Sequence, residues 1–260
     1  MDAARLQTLG DELFDALITR QPVAPLSERF PDMTIDDAYV VQQRMNARRL
    51  QPGVRVLGKK IGLTSKVVQK MLGVDQPDFG ILLSDMVYAD GDALPMATLI
   101  APKVEGEIAF VLRHPLRGPG VTTADVLRAT ECVMPCFEIV DSRIRDWKIR
   151  IQDTVADNAS AALFVLGAQA VDPRDVDLTL CGMVLEKNGE IVATGAGAAA
   201  LGSPVNAVAW LANRLGQLGI GLEAGEVILS GSLAAMLPAQ AGDSFRCSIG
   251  GIGTVATRFA

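Results

Sequence analysis

Histidine is almost absent from this 260-residue chain. His114 is the single example, in Arg113-His-Pro-Leu-Arg-Gly-Pro-Gly120, where proline and glycine on both sides mark a surface turn. A Ser-His-Asp or Cys-His scheme would need that loop residue as its base, so acid–base chemistry falls to Glu, Asp, Lys or metal-bound water. Aromatic residues are also scarce, 5% of the chain, which leaves few platforms on which bases could stack. The net charge of −6 argues in the same direction, against nucleic acid and anionic membrane as partners. No apolar run approaches the ~20 residues that span a bilayer. The opening Met-Asp-Ala-Ala-Arg lacks the basic-then-apolar order of a signal peptide. Four cysteines, Cys132, Cys136, Cys181 and Cys247, form neither a CxxC pair nor a His/Cys metal spacing. They read as reduced core thiols, and the expected location is cytoplasmic.

What the chain does have is apolar bulk, 49% of residues, enough for a large core in one big domain or a main domain with a small appendage. Leu6, Leu9, Leu13 and Leu17 recur at helical spacing, widened by Phe14 and Ile18. A second helix starts at Thr34 with Asp37 three residues on, a capping-box pattern, and Gln51-Pro-Gly53 stops it. Residues 1–53 therefore read as a helical N-terminal region, a cap or an oligomer-contacting layer. The texture then changes to short apolar runs with frequent glycine. Strands are expected over 54–64, 81–88, 99–112, 133–140, 227–233 and 244–259. One or two helical turns are expected over 65–72, and short helices after Thr123 and from Ser203-Pro204 to Leu215. The fold class is α+β, with a β-rich catalytic body over 54–260.

One strand carries chemistry. In Pro102-Lys-Val-Glu-Gly-Glu-Ile-Ala-Phe110, Glu105 and Glu107 stand two apart, so both side chains face one side with Cα atoms roughly 6.5–7 Å apart. A solvated face is the ordinary alternative for such a pair. Glu138 argues for an inward one, because it is an isolated charge in the apolar run Val133-Met-Pro-Cys-Phe-Glu-Ile-Val140. Bare carboxylates on a buried face repel and are costly to desolvate, and a divalent cation removes both problems. Hard oxygen ligands favour Mg²⁺ or Mn²⁺ over Zn²⁺, so Glu105, Glu107 and Glu138 are the candidate metal ligands.

Around them, Lys59 and Lys60 fall on opposite strand faces. One reads as a surface lysine, and the other either shares that role or points inward to pair with a carboxylate or serve as a general acid or base. Asp78, between Pro77 and Phe79, reads as a loop acid; Ser160, in Asp157-Asn-Ala-Ser160, can donate to a substrate carboxylate or cap a turn. Asp157 and Asn158 read as turn caps. Gly195-Ala-Gly-Ala-Ala-Ala200 formally matches a dinucleotide fingerprint, but the chain lacks repeated strand–helix alternation, and tight backbone packing explains the glycines more simply.

The ordered set Gly58-Lys-Lys-Ile-Gly62, Pro102-Lys-Val-Glu-Gly-Glu-Ile-Ala109, Phe137-Glu-Ile-Val-Asp-Ser-Arg143 and Val155-Ala-Asp-Asn-Ala-Ser160 resembles the fumarylacetoacetate hydrolase superfamily, in its hydratase/decarboxylase branch. The resemblance covers nearly the whole chain, through Gly250-Gly-Ile-Gly-Thr-Val255. It implies a mixed β-sheet, roll- or barrel-like body with a small helical N-terminal part. It implies Mg²⁺ or Mn²⁺ on Glu105, Glu107 and Glu138, acid–base positions at Lys60 and Asp78, and a pocket position at Ser160. The implied activity is hydration of 2-hydroxypenta-2,4-dienoate in aromatic meta-cleavage catabolism. The alternatives are 4-oxalocrotonate decarboxylation and a non-catalytic partner subunit of that decarboxylase. A homo-oligomer is implied, and some hydratases of this kind also pair with the decarboxylase.

Overall fold

The computed structural model describes residues 1–66, 69–70 and 73–260. The helical turns expected over 65–72 fall partly outside the described residues. Helix α1 (Ala3–Thr19) opens on Asp2, whose side chain accepts from the Arg5 amide. It buries Leu6, Leu9 and Leu13, while Ile18, expected on that stripe, is 62% exposed. A single turn, α2 (Leu26–Arg29), precedes α3 (Ile35–Arg49). The α3 terminus forms the expected capping box: Thr34 accepts from the Asp37 amide, and Asp37 accepts from the Thr34 amide.

The β-rich body has two sheets. In the first the order is β2 (Asp78–Leu83), β1 (Val56–Gly62), β10 (Val227–Leu229), β5 (Lys103–Leu112), β6 (Thr130–Val140), β7 (Ala161–Leu166) and β3 (Val87–Ala89), with β11 (Leu237–Pro238) added to β5. It is mixed: β1 runs parallel to β10 and β3 to β7, whereas β5, β6 and β7 are antiparallel neighbours. The second sheet runs β4 (Ala93–Leu94), β13 (Gly253–Phe259), β12 (Ser244–Ile249), β8 (Gly182–Lys187), β9 (Glu190–Ala196). Helices α4 (Thr123–Ala129), α5 (Ile151–Ala156) and α6 (Pro204–Gln217) complete the body. This is the expected mixed-sheet α+β architecture, and among the described residues the sheets do not close into a barrel.

Gly106 shows how the sheets meet. A Cβ there would stand 2.7 Å from Met183 Sδ and 3.0 Å from Cys247 Sγ, so the second sheet packs directly on that face of β5. The opposite face, carrying Glu105 and Glu107, is left for chemistry. The glycines at the end of β9 obey the same logic. A Cβ on Gly195 would meet the Leu233 carbonyl at 1.9 Å, and one on Gly197 the Leu178 carbonyl at 1.8 Å, which is close packing rather than a phosphate loop. His114 lies exposed after β5, and Cys136, Cys181 and Cys247 are buried free thiols with Cys132 half-buried.

Candidate active site

Residues opposite one another in an antiparallel pair share a face. The β5–β6 register sets Glu105 opposite Glu138 and Glu107 opposite Cys136, so all three glutamates project to one side. They offer oxygens that lie within 4.8 Å of one another. Oxygens bound at about 2.0–2.1 Å to one ion stand at most about 4.2 Å apart, so the triad is nearly assembled for a cation. Glu107 and Glu138 are fully buried and Glu105 is half-buried.

Glu107 Oε2 accepts from the Gly231 amide at 2.8 Å. Gly231 has φ +100, and a Cβ there would strike Thr64 at 2.3 Å, so only glycine lets this amide reach the carboxylate. Glu107 Oε1 and Glu138 Oε2 have no hydrogen-bond donor, and Glu138 Oε1 has only an ion pair, although buried polar atoms ordinarily are bonded. A hard divalent ion supplies what these oxygens lack, and the donor set, all carboxylate oxygen, suits Mg²⁺.

Lys60, in β1, points into the same space. Its Nζ donates to the Ala159 carbonyl at 3.0 Å and pairs with Glu138 Oε1 at 3.2 Å. Alternation sends Lys59 to the other face, as expected, but not to the surface. It is buried against Glu226, with Nζ–Oε distances of 2.5 and 2.7 Å. Asp78 also departs from expectation. It is no loop acid but the first residue of β2, paired with Gly62 and buried, and its Oδ2 accepts from Thr154 Oγ at 3.3 Å. The expected strand starts at residue 81, and its true start at Asp78 is hidden because Pro77 and Gly80 break the apolar pattern.

The segment 157–160 closes the site. Asn158, Ala159 and Ser160 all have φ between +49 and +55, an uncommon run for residues with side chains. Buried Arg143 over-determines it: its Nε bonds Asp157 Oδ1, its backbone amide bonds Asp157 Oδ2 at 3.1 Å, and its Nη1 donates to the Ala161 carbonyl at 3.2 Å. Asp157 and Asn158 direct their side chains to protein partners distant in sequence, Arg143 for the first and Ile81 for the second, rather than to capping a turn. Ser160 lines the cavity, and its hydroxyl donates to Asp157 Oδ2 at 3.3 Å.

Four carboxylates and one ammonium at the base of one cavity perturb one another. Burial pushes Glu138 up to about 7, with Lys60 opposing the rise. Burial raises Glu107 well above its usual range, and its neighbours Glu138 and Glu105 add to the rise. Glu105 and Asp78 are raised by burial and held back by Lys60. Burial pulls the Lys60 ammonium down, but Glu138, Asp78, Glu105 and Glu107 outweigh it and keep the lysine a cation.

These groups sit at the base of a cavity of about 340 Å³. Away from the acids and Lys60, its wall is largely apolar: Leu63, Val140, Trp147, Ile149, Met236. Thr154, Gly231 and Arg143 were not singled out from sequence, and neither were Gln42 and Asn46. For the last two a signal existed: both lie on the helical stripe of Ala38, Val41 and Met45 that faces inward.

The fumarylacetoacetate (FAA) hydrolase C-terminal family profile matches residues 58–260. The chain is 64% identical over 221 residues to a 2-hydroxypent-2,4-dienoate hydratase of Pseudomonas putida, covering 85% of this chain and all of that one. It is 55% identical over 260 residues to a 2-hydroxyhexa-2,4-dienoate hydratase of Comamonas testosteroni, covering 99% and 98%. Among solved structures, 4-oxalocrotonate decarboxylase from Pseudomonas putida G7, complexed with magnesium and adipate, matches with a TM-score of 0.97. It is 37% identical, over 100% of this chain and 99% of that one.

Proposed function

We propose, on the premise that the chain belongs to the fumarylacetoacetate hydrolase family, that it is a metal-dependent hydro-lyase. It adds water to 2-hydroxypenta-2,4-dienoate (2-oxopent-4-enoate) to give 4-hydroxy-2-oxopentanoate, a step of aromatic meta-cleavage catabolism. The observation that carries the reading is the convergence of Glu105, Glu107 and Glu138 within 4.8 Å, beside Lys60 and Asp78.

Glu105, Glu107 and Glu138 would hold the ion. When bound, a divalent cation supplies a Lewis acid for the carboxylate and C2 oxygen of the substrate. Lys60, kept protonated by the acids around it, holds negative charge that develops at the C2 oxygen. Asp78, raised above the usual carboxylate range by burial, carries the proton that leaves the 2-hydroxyl and is delivered at C5. The conjugated ketone then takes hydroxide from water at C4 and a proton at C3. The Ser160 hydroxyl, turned from its long bond to Asp157 Oδ2, is the donor to the substrate carboxylate.

The likeness to the decarboxylase favours a second reading, loss of CO₂ from 4-oxalocrotonate at the same site. The cavity wall weighs against it. Among the described lining residues Lys60 is the only cation, and it already faces the acids, so a second substrate carboxylate would find no further cation in a largely apolar wall. A role as a non-catalytic partner of the decarboxylase leaves the complete acid set unexplained.

We also propose that the protein is cytoplasmic and works as a homo-oligomer, with pairing to a decarboxylase as a further assembly. No helix among the described residues is long and apolar enough to cross a membrane. Light scattering tests the oligomer directly.

The deciding assay supplies purified protein with freshly generated 2-hydroxypentadienoate and, in parallel, 4-oxalocrotonate, each with and without Mg²⁺ or Mn²⁺. Metal-dependent loss of the dienol absorbance without CO₂ release is expected. CO₂ release from the dicarboxylate with no hydration would replace this reading with the second.

A further inference from the structure

Helix α3 belongs to the helical N-terminal region, yet two of its polar side chains are buried in the body. Gln42 and Asn46 are one turn apart, so they share a face. The Gln42 amide donates both protons inward, to the Phe79 carbonyl at 2.9 Å and to the Val155 carbonyl at 2.8 Å. Those two peptides flank the Asp78–Thr154 hydrogen bond: Phe79 follows Asp78 in β2, and Val155 follows Thr154 in α5. One side chain thus fixes the spacing of the strand that carries the acid and the helix that carries its hydroxyl donor.

Asn46 serves the other side of the site. Its Nδ2 donates to Asn158 Oδ1 at 2.9 Å, and Asn158 in turn clasps the Ile81 backbone, accepting from its amide at 2.9 Å and donating to its carbonyl at 3.0 Å. Asn158 begins the left-handed run whose next residue, Ala159, presents the carbonyl that receives Lys60 Nζ. The fit is close: a Cβ on Gly80 would lie 2.4 Å from the Asn158 carbonyl. Nothing about helix packing requires two amides at core positions, where Val41 and Met45 do the apolar packing.

We propose that Gln42 and Asn46 are positioning residues of the hydration reaction, Gln42 setting Asp78 against Thr154 and Asn46 setting the Ala159 carbonyl against Lys60. The inference rests on the reading that Asp78 carries the proton and Lys60 holds the charge that develops at the C2 oxygen.

The test measures kcat, KM and Mg²⁺ affinity for Gln42→Leu, Asn46→Leu and the control Met45→Ala. Asp78→Asn, Lys60→Ala and the double variant Gln42→Leu/Asp78→Asn are assayed beside them. Small misplacements of reacting groups cost up to about 100-fold in rate. Gln42→Leu and Asn46→Leu should therefore lower kcat about 10- to 100-fold with KM and Mg²⁺ affinity within about 3-fold. Met45→Ala, assayed well below its melting temperature, should keep kcat while losing comparable stability. In the Asp78→Asn background, Gln42→Leu should cost little more, because the group it positions is gone. Equal kcat loss in Met45→Ala at a matched fall in melting temperature would reduce both amides to packing. A full additional loss in the double variant would show that Gln42 acts elsewhere. Undiminished turnover in Asp78→Asn and Lys60→Ala would instead remove the reading on which the inference stands.

Discussion

Glu107 and Glu138 are the residues on which the site turns, because each brings a buried oxygen that no protein donor satisfies. Changing Glu107 to Gln keeps the shape and removes the charge. Mg²⁺ affinity should fall by more than the ~10–100-fold that loss of an outer-shell partner costs, measured by isothermal titration calorimetry, and hydration should fall with it. Lys60→Ala should separate the two properties. Removing the cation leaves the acids more negative, so Mg²⁺ binding should hold or tighten while turnover drops about 10²–10³-fold. Unchanged turnover would take Lys60 out of the chemistry.

The same residues set a pH dependence. Glu138 is raised to about 7 in the folded protein, so between its ordinary carboxylate value and about 7 the folded state binds the extra proton. Its contribution to stability is then present at acid pH and lost as pH rises through about 7. The glutamates titrate as a set rather than singly. Metal-free protein in chelator should accordingly melt at a lower temperature as pH rises from about 5 to 7.5, and Mg²⁺ should restore it. Apparent Mg²⁺ affinity should climb across the same window, because binding displaces that proton. A melting temperature that rises with pH in chelator would contradict this.

At the scale of elements, the reach of sequence reasoning divides sharply. The β5–β6 site was legible because its signal is local: a period of two places Glu105 and Glu107 together, and a lone charge in an apolar run marks Glu138. The capped helices were legible for the same reason, since Thr34 and Asp37 are three residues apart. What stayed hidden depends on contacts distant in sequence. Asp78 looked like a loop acid until β1 paired with it, and Lys59 looked like a surface residue until Glu226, 167 positions away, covered it. Arg143 has no local pattern to mark it as buried, yet it is fully buried on Asp157. Removing one partner of a buried pair typically costs about 3–5 kcal/mol. Arg143→Met should destabilise by that order in chemical denaturation. It should also lower turnover, because the left-handed run at 158–160 loses what holds it.

For the molecule as a whole, the proposal of a helical region over 1–53 beside a β-rich catalytic region over 54–260 has a definite physical form. A composition boundary need not be a folding boundary, and here the hydrogen bonds cross it repeatedly. Val23 exchanges backbone bonds with Arg143 and Arg145 at 2.9 and 2.8 Å, Ser27 bonds Asp153 through its amide and hydroxyl, and Gln42 and Asn46 reach β2 and the 158–160 turn. Cutting at residue 53 would leave the carbonyls of Phe79 and Val155, Asp153 and the Asn158 amide without those partners, each at a cost of about 1–3 kcal/mol when buried. It would also strip apolar cover from Phe79, on which Tyr39 stacks with ring centroids 4.3 Å apart. Several such losses together match the whole stability of an ordinary domain. The full chain should therefore unfold in a single calorimetric transition. A fragment of 54–260 should lack a cooperative melt and Mg²⁺ binding, both restored by adding the 1–53 segment in trans or by the intact chain. A fragment that melts cooperatively and binds Mg²⁺ alone would make the helical region an accessory, and the two regions separate folding units.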